Sequence, residues 1–137
     1  MDFHRGRLID HVHLRVADLD ATERFYRAAL GALGHELARG TAGDEPYLSF
    51  DELWVTEGPK PTTGLHLAFQ AKDRETVERF HTAALAAGGK DNGTPGERNY
   101  HPGYYAAFVL DPDGNNIEAV YHGPSERSAE SVVFTVG

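Results

Sequence analysis

The sequence predicts an α+β fold made of two βαβββ modules related by a pseudo-two-fold axis. Three observations carry this: a segment that recurs at a fixed offset, strand-type alternation ahead of each copy, and a helical stripe within each copy. Residues 23–34, ERFYRAALGALG, align without gaps to residues 78–89, ERFHTAALAAGG; eight of the twelve positions are identical and the offset is 55. Carried upstream, the same offset pairs Asp18 with Asp73 and His11 with His66. Self-similarity of this kind speaks to architecture before any single element is placed, because a duplicated unit buries its apolar face against its neighbours.

The elements follow in order. Residues 9–16, IDHVHLRV, alternate, with Val12, Leu14 and Val16 on one face and His11, His13 and Arg15 on the other, the period of a half-buried strand. Asp20 and Glu23 have the spacing of a capping box. Leu19, Thr22, Phe25, Ala29, Leu30 and Leu33 then mark a helical stripe that ends near Gly34. Short strands are predicted over 34–38, 46–50 and 52–57. In the second copy, GLHLAFQ (64–70) alternates Leu65, Leu67 and Phe69 against His66, Ala68 and Gln70. Val77, Phe80, His81, Ala84 and Leu85 form the second helical stripe, closed by Gly88 and Gly89. A loop rich in Gly, Asn and Pro (91–103) leads to a strand at 104–110, an Asp-Pro-Asp-Gly turn, and a last strand at 116–122. Module one thus runs over about 8–58 and module two over about 64–122, as a single domain. The tail 123–137 is polar and ends in a β-prone hexad, suited to an edge strand, a subunit contact or disorder.

Composition narrows the function. A chain of 137 residues fits one domain, and a globule of that size buries roughly 68% of its unfolded surface, enough for a core without staples. The net charge of −8 argues against nucleic acid, which rewards a basic stripe. No Lys/Arg cluster suits an anionic membrane surface. The N-terminus lacks an apolar leader and no run of about 18 apolar residues occurs, so a cytoplasmic protein is expected. With no cysteine, any metal must be held by nitrogen and oxygen.

Eight histidines are available for that. In each first strand the apolar residues face the helix, so His11 and His66 face away from it, into a cleft shared by the modules. On the last strand Ile117, Ala119 and Tyr121 form one set and Glu118, Val120 and His122 the other. If the first set enters the core, Glu118 enters the cleft. A lone carboxylate there is costly, whereas one beside a cation is not. Two imidazoles and a carboxylate make a divalent-metal site with open positions. One histidine or one glutamate on a strand is ordinarily a hydrogen-bonded or solvent-facing residue; the repeat, which pairs His11 with His66, is what favours ligands. His13 lies two residues from His11 on the same strand face, where it can act as general acid or base or as support for the site, or form a polar wall. ERNYHPGYY (97–105) gathers Arg98, Tyr100, His101, Tyr104 and Tyr105, a set that suits an oxyanionic or aromatic substrate, a solvated loop or a dimer contact. His122 points to the rim, and His4, His35 and His81 are structural or surface residues.

The stretches DHVHLRVADLDATERFYRAALGALG, GLHLAF and FVLDPDGNNIEAV resemble the motifs of the vicinal oxygen chelate superfamily, the group of glyoxalase I, extradiol dioxygenases and bleomycin and fosfomycin resistance proteins. The resemblance covers residues 8 to 122. It implies paired βαβββ modules, a homodimer, and metal ligands at His11, His66 and Glu118. It implies one divalent ion (Zn, Ni, Co, Mn or Fe) and a small-molecule substrate bound through vicinal oxygens, in a lyase, isomerase or dioxygenase; Glu118, and His13 by its place beside His11, are the catalytic candidates. Glyoxalase I has a fourth protein ligand late in module one. Sliding DELWVTEG (51–58) against NIEAVYHG (116–123) without gaps puts Leu53 opposite Glu118, and Glu52 or Glu57 reaches the metal only through a register shift. The alternative reading is a non-catalytic protein that binds or sequesters a small molecule such as an antibiotic.

Overall fold

The computed structural model describes residues 2–5, 8–127 and 132–135. Module one contains β2 (Val12–Val16), α1 (Leu19–Ala32), β3 (Ala38–Ala42), β4 (Glu45–Phe50) and β5 (Leu53–Glu57); module two contains β6 (His66–Gln70), α2 (Arg74–Ala86), β7 (Lys90–Glu97), β8 (Tyr105–Leu110) and β9 (Asn116–Tyr121). The flanking strands β1 (Asp2–Arg5) and β10 (Val132–Thr135) pair antiparallel in a sheet of their own. Of the predicted C-terminal tail, residues 128–131 and 136–137 lie outside the described residues.

The two modules repeat one topology, β2-β5-β4-β3 and β6-β9-β8-β7. In each, the first strand runs parallel to the last while the others are antiparallel. The reason is local. A helix after the first strand forces a crossover, and the two remaining turns are tight enough only for antiparallel pairing.

Asp18, rather than the predicted Asp20, caps α1, accepting from the Ala21 N–H, and Asp73 caps α2 by accepting from Thr76 N–H. Glu23 is instead paired with Arg27 at 2.7 Å and Arg39 at 2.6 Å. The helices pack against each other and α2 lies on β7, β8 and β9. Phe25, Tyr26, Leu48, Val55, Val77, Phe80, Ile117 and Ala119 are fully buried in one core drawn from both modules. Gly89 sits where this packing is tightest: a Cβ there would lie 2.4 Å from Val109 Cγ1 and 2.8 Å from Phe25 Cε1.

Two sequence expectations are corrected here. The third strand of the chain covers residues 38–42 and not 34–38. Residues 90–97, expected within or beside a loop, form β7, an edge strand with register shifts between Asp91 and Gly93 and between Gly93 and Gly96. An edge position tolerates Pro95, which has no N–H to offer a ladder, and bulges absorb the glycines.

Candidate functional site

The open face of the second sheet is assembled by register. Ala68 on β6 lies opposite Glu118 on β9, Glu118 opposite Phe108 on β8, and Phe108 opposite Gly93 on β7. Paired residues share a sheet face and their chain neighbours point the other way. The neighbours Ile117, Ala119, Ala107 and Val109 are in the core, so Glu118 projects from the opposite side with His66 beside it.

Glu118 is the best-held side chain there. Its Oε1 lies 2.7 Å from His66 Nε2, and its Oε2 accepts from the Tyr104 hydroxyl. The carboxylate is 1% exposed while the His66 side chain is 55% exposed. A buried acid therefore forms the floor and an accessible imidazole the opening. Burial, helped by the bond to Glu118 and its negative charge, pushes the Tyr104 hydroxyl up to about 12, so it remains a donor across the physiological range. Phe108 lies against His66, ring centroids 6.0 Å apart.

A histidine pair edges the site. His101 Nδ1 is 2.8 Å from the Pro102 carbonyl, which only accepts, so that nitrogen carries the proton. Its Nε2 lies 2.9 Å from His122 Nδ1, so the two rings share a hydrogen bond. Both rings meet the Tyr104 ring edge-on at 5.4 and 5.1 Å, and Tyr100, 69% exposed, does so at 4.9 Å. His122 thus takes the rim position predicted for it. Tyr105 is corrected: its ring is on the helix side, with its hydroxyl bonded to Glu78 at 2.8 Å and the Arg74 guanidinium 4.6 Å from its centroid. Strand alternation after Tyr104 sends it there. The signal for the partnership of Tyr104 with Glu118 was that same alternation, once the pairing of β8 with β9 is known.

Module one presents a separate half-site. His11 and His13 line a cavity of about 320 Å³ with Ser49, Glu52, Leu53 and Trp54. His11 Nδ1 bonds Asp10 at 2.7 Å, and His13 Nε2 bonds Thr56 Oγ1 at 2.8 Å. Burial and the Arg15 charge lower the His13 pKa, favouring the neutral imidazole. The expectation that His11, His66 and Glu118 converge is not met within one chain: among the described residues no three His, Asp or Glu side chains gather where they could hold a metal ion.

The register also moves the position equivalent to Glu118. Ala68 faces Glu118, and His13, its repeat mate at offset 55, faces Trp54. Trp54, not Leu53, therefore stands where module two has its carboxylate, stacked on Tyr47 with centroids 3.9 Å apart. Glu57 is occupied elsewhere, accepting from the Leu19 N–H at the start of α1 at 2.9 Å.

Two βαβββ modules, each with histidines at an open sheet face, define a class of duplicated α+β folds. The chain belongs to the Glyoxalase/Bleomycin resistance protein/Dioxygenase superfamily, which matches residues 8–119. It is 29% identical over 146 residues to "Putative lactoylglutathione lyase" from Brassica oleracea var. gemmifera, a match that covers 93% of this chain; the chain spans about half, 49%, of that curated relative. A glyoxalase/bleomycin resistance protein from Albidiferax ferrireducens is similar in structure, with 31% identity and a TM-score of 0.65 over 81% of this chain and 95% of that one. Glyoxalase I from Zea mays shares the fold at 24% identity and a TM-score of 0.59, over 87% of this chain and 45% of that one. Among the described residues no helix is long and apolar enough to cross a membrane.

Proposed function

We propose that the protein is a metal-dependent enzyme acting on a small molecule with vicinal oxygens, its site completed by His11 from a second copy of the chain in a homodimer. The observation that carries this is the His66–Glu118 contact at 2.7 Å, with the carboxylate buried and its second oxygen held by Tyr104. The donor set fits a divalent ion: an imidazole nitrogen and a carboxylate oxygen, two of the ligand types such ions take in open 2-His-1-carboxylate sites. A buried carboxylate held by a neutral hydroxyl and one exposed imidazole would have its desolvation offset further by a cation there. When bound, the ion would supply Lewis-acid stabilisation of charge on two adjacent substrate oxygens.

The chain's own groups have distinct tasks. His66 and Glu118 hold the ion. Tyr104 fixes the rotamer of Glu118, and with Oε2 so engaged, Oε1 is the oxygen turned toward the cleft. Glu118 would accept a proton from a substrate carbon only once it releases the ion, and His13, kept neutral, would do so from the opposing half. His101, His122 and Tyr100 wall the entrance.

The separation of His11 from the pair in one chain favours a second reading, a ligand-binding protein without turnover. Elemental analysis of freshly purified protein separates the two. We expect about one divalent ion per chain, lost in His66→Ala and Glu118→Gln and reduced in His11→Ala. Parent-level metal in all three variants would show that these residues are not its ligands, and tight ligand binding without metal would establish the second reading.

A further inference from the structure

We infer that Arg98 and Phe108 form an anion subsite beside the His66–Glu118 pair, which selects substrates bearing a carboxylate on a flat apolar body. The assignment deepens the proposed function by naming the substrate class of that site, and its own test does not require the metal.

Arg98 extends the β7–β8 ladder, its N–H bonding the Tyr104 carbonyl at 2.8 Å, so its side chain leaves on the same face as Tyr104. It then folds back along β7. The guanidinium bonds the Thr94 carbonyl at 2.8 Å and lies 5.3 Å from the Phe108 ring centroid. No carboxylate partners it among the described residues. In a chain with a net charge of −8, a half-buried cation held, among the described residues, by the neutral Thr94 and Glu97 carbonyls keeps N–H donors available for an incoming anion.

The sequence has made room for it. A Cβ at Gly93 would lie 2.8 Å from Phe108 Cδ2 and 3.2 Å from Arg98 Nη2, and one at Gly96 would lie 3.1 Å from Arg98 Nη1. Two side-chain-free positions on β7 thus let the guanidinium lie on the sheet face instead of pointing to solvent. Phe108 neighbours both groups, its ring centroid 5.3 Å from the guanidinium carbon and 6.0 Å from the His66 ring centroid. Ala68 and Ala106 occupy the neighbouring rows, so small side chains flank Phe108 on this face. A planar body on Phe108 would reach the guanidinium fork with a carboxylate at one end and the metal pair at the other. Bidentate pairing and ring stacking are the contacts this surface offers.

The test uses the full-length protein as purified, with benzoate as probe and chemical-shift titration as readout. Benzoate should perturb the amides of Gly93, Gly96, Arg98 and Phe108, and the neutral isostere benzamide should bind at least about tenfold more weakly, as the loss of a charge-assisted pair implies. Arg98→Gln should weaken benzoate by a similar factor. Gly96→Ala, which keeps the charge but crowds Nη1, should weaken it several-fold. Binding that persists in the Glu118→Gln variant would support the subsite whatever becomes of the metal. The subsite is overturned if Arg98→Gln binds benzoate like the parent, if benzamide binds equally well, or if Glu118→Gln abolishes binding, since the carboxylate would then be sitting on the metal.

Discussion

Tyr104 is the residue whose role changes most between the two views. Sequence placed it among groups facing a substrate, whereas its hydroxyl is committed to Glu118. Removing that hydroxyl leaves one oxygen of a buried carboxylate without its donor, a loss of about 1.5–3 kcal/mol for a hydrogen bond to a charged group. Tyr104→Phe should therefore lower stability by that order, seen in urea unfolding. Under the proposed function it should also weaken metal affinity by about 10–100-fold, the usual effect of losing a group that orients a ligand. Unchanged metal affinity would mean that Glu118 is oriented without Tyr104.

At the scale of elements, the Asp-Pro-Asp-Gly turn does more than reverse the chain. Asp111 accepts from the N–H groups of Asp113 and Asn115. Asp113 Oδ1 accepts from Ala17 N–H at 3.2 Å, just ahead of α1, while its Oδ2 is buried with no hydrogen-bond partner among the described residues. Burial pushes the Asp113 carboxyl up, with Ala17 opposing and Asp111 and Asp18 adding to the rise. A carboxyl raised in the folded state favours folding in its protonated form. That contribution is complete below about pH 4 and is lost as pH rises through the folded value. At neutral pH the ionised group thus opposes the fold. Asp113→Asn should raise the melting temperature by a few degrees at pH 7, with the gain shrinking toward zero below about pH 4. The turn itself was legible from its residues. Its docking against the other module was not, because no local pattern records which N–H a carboxylate will meet 96 residues away. β7 shows the same limit: glycine and proline read as a loop, and only an available edge on β8 makes them a strand.

The whole molecule is tied together by side chains that cross between modules. Tyr26, fully buried on α1, donates to Asp111 Oδ2 at 2.6 Å. Burial, then the Asp111 charge, pushes its hydroxyl pKa well up. Tyr26→Phe would strand that oxygen in the core and should cost about 1–3 kcal/mol, read as a lower urea midpoint. The sign for alkali follows from the raised pKa: the contribution is intact below about pH 10 and declines above it, so the gap between parent and variant should narrow there. At the level of assembly, a site divided between copies makes a distinctive prediction. His11→Ala, with its metal reduced, and His66→Ala, with its metal lost, should hold more metal after mixing and subunit exchange than before, because one of the two sites in each mixed dimer is whole. Equal amounts exchanged at random make about half of the dimers mixed, so those whole sites amount to about a quarter of the parent's. No recovery on mixing would place the site within one chain.

The sequence by itself determined the duplicated βαβββ architecture and the strand faces that carry His13, His66 and Glu118. These follow from periodicity and from an offset of 55, both properties of neighbouring residues. Tertiary structure alone decided that Trp54 replaces a carboxylate in module one, that Tyr104 turns to Glu118 while Tyr105 turns to Glu78, and that His11 stands apart from His66 and Glu118. Strand register and the packing of one module on the other set these outcomes. Shifting a strand by one residue exchanges its faces without altering its alternation, so the choice is made by contacts between segments distant in the chain.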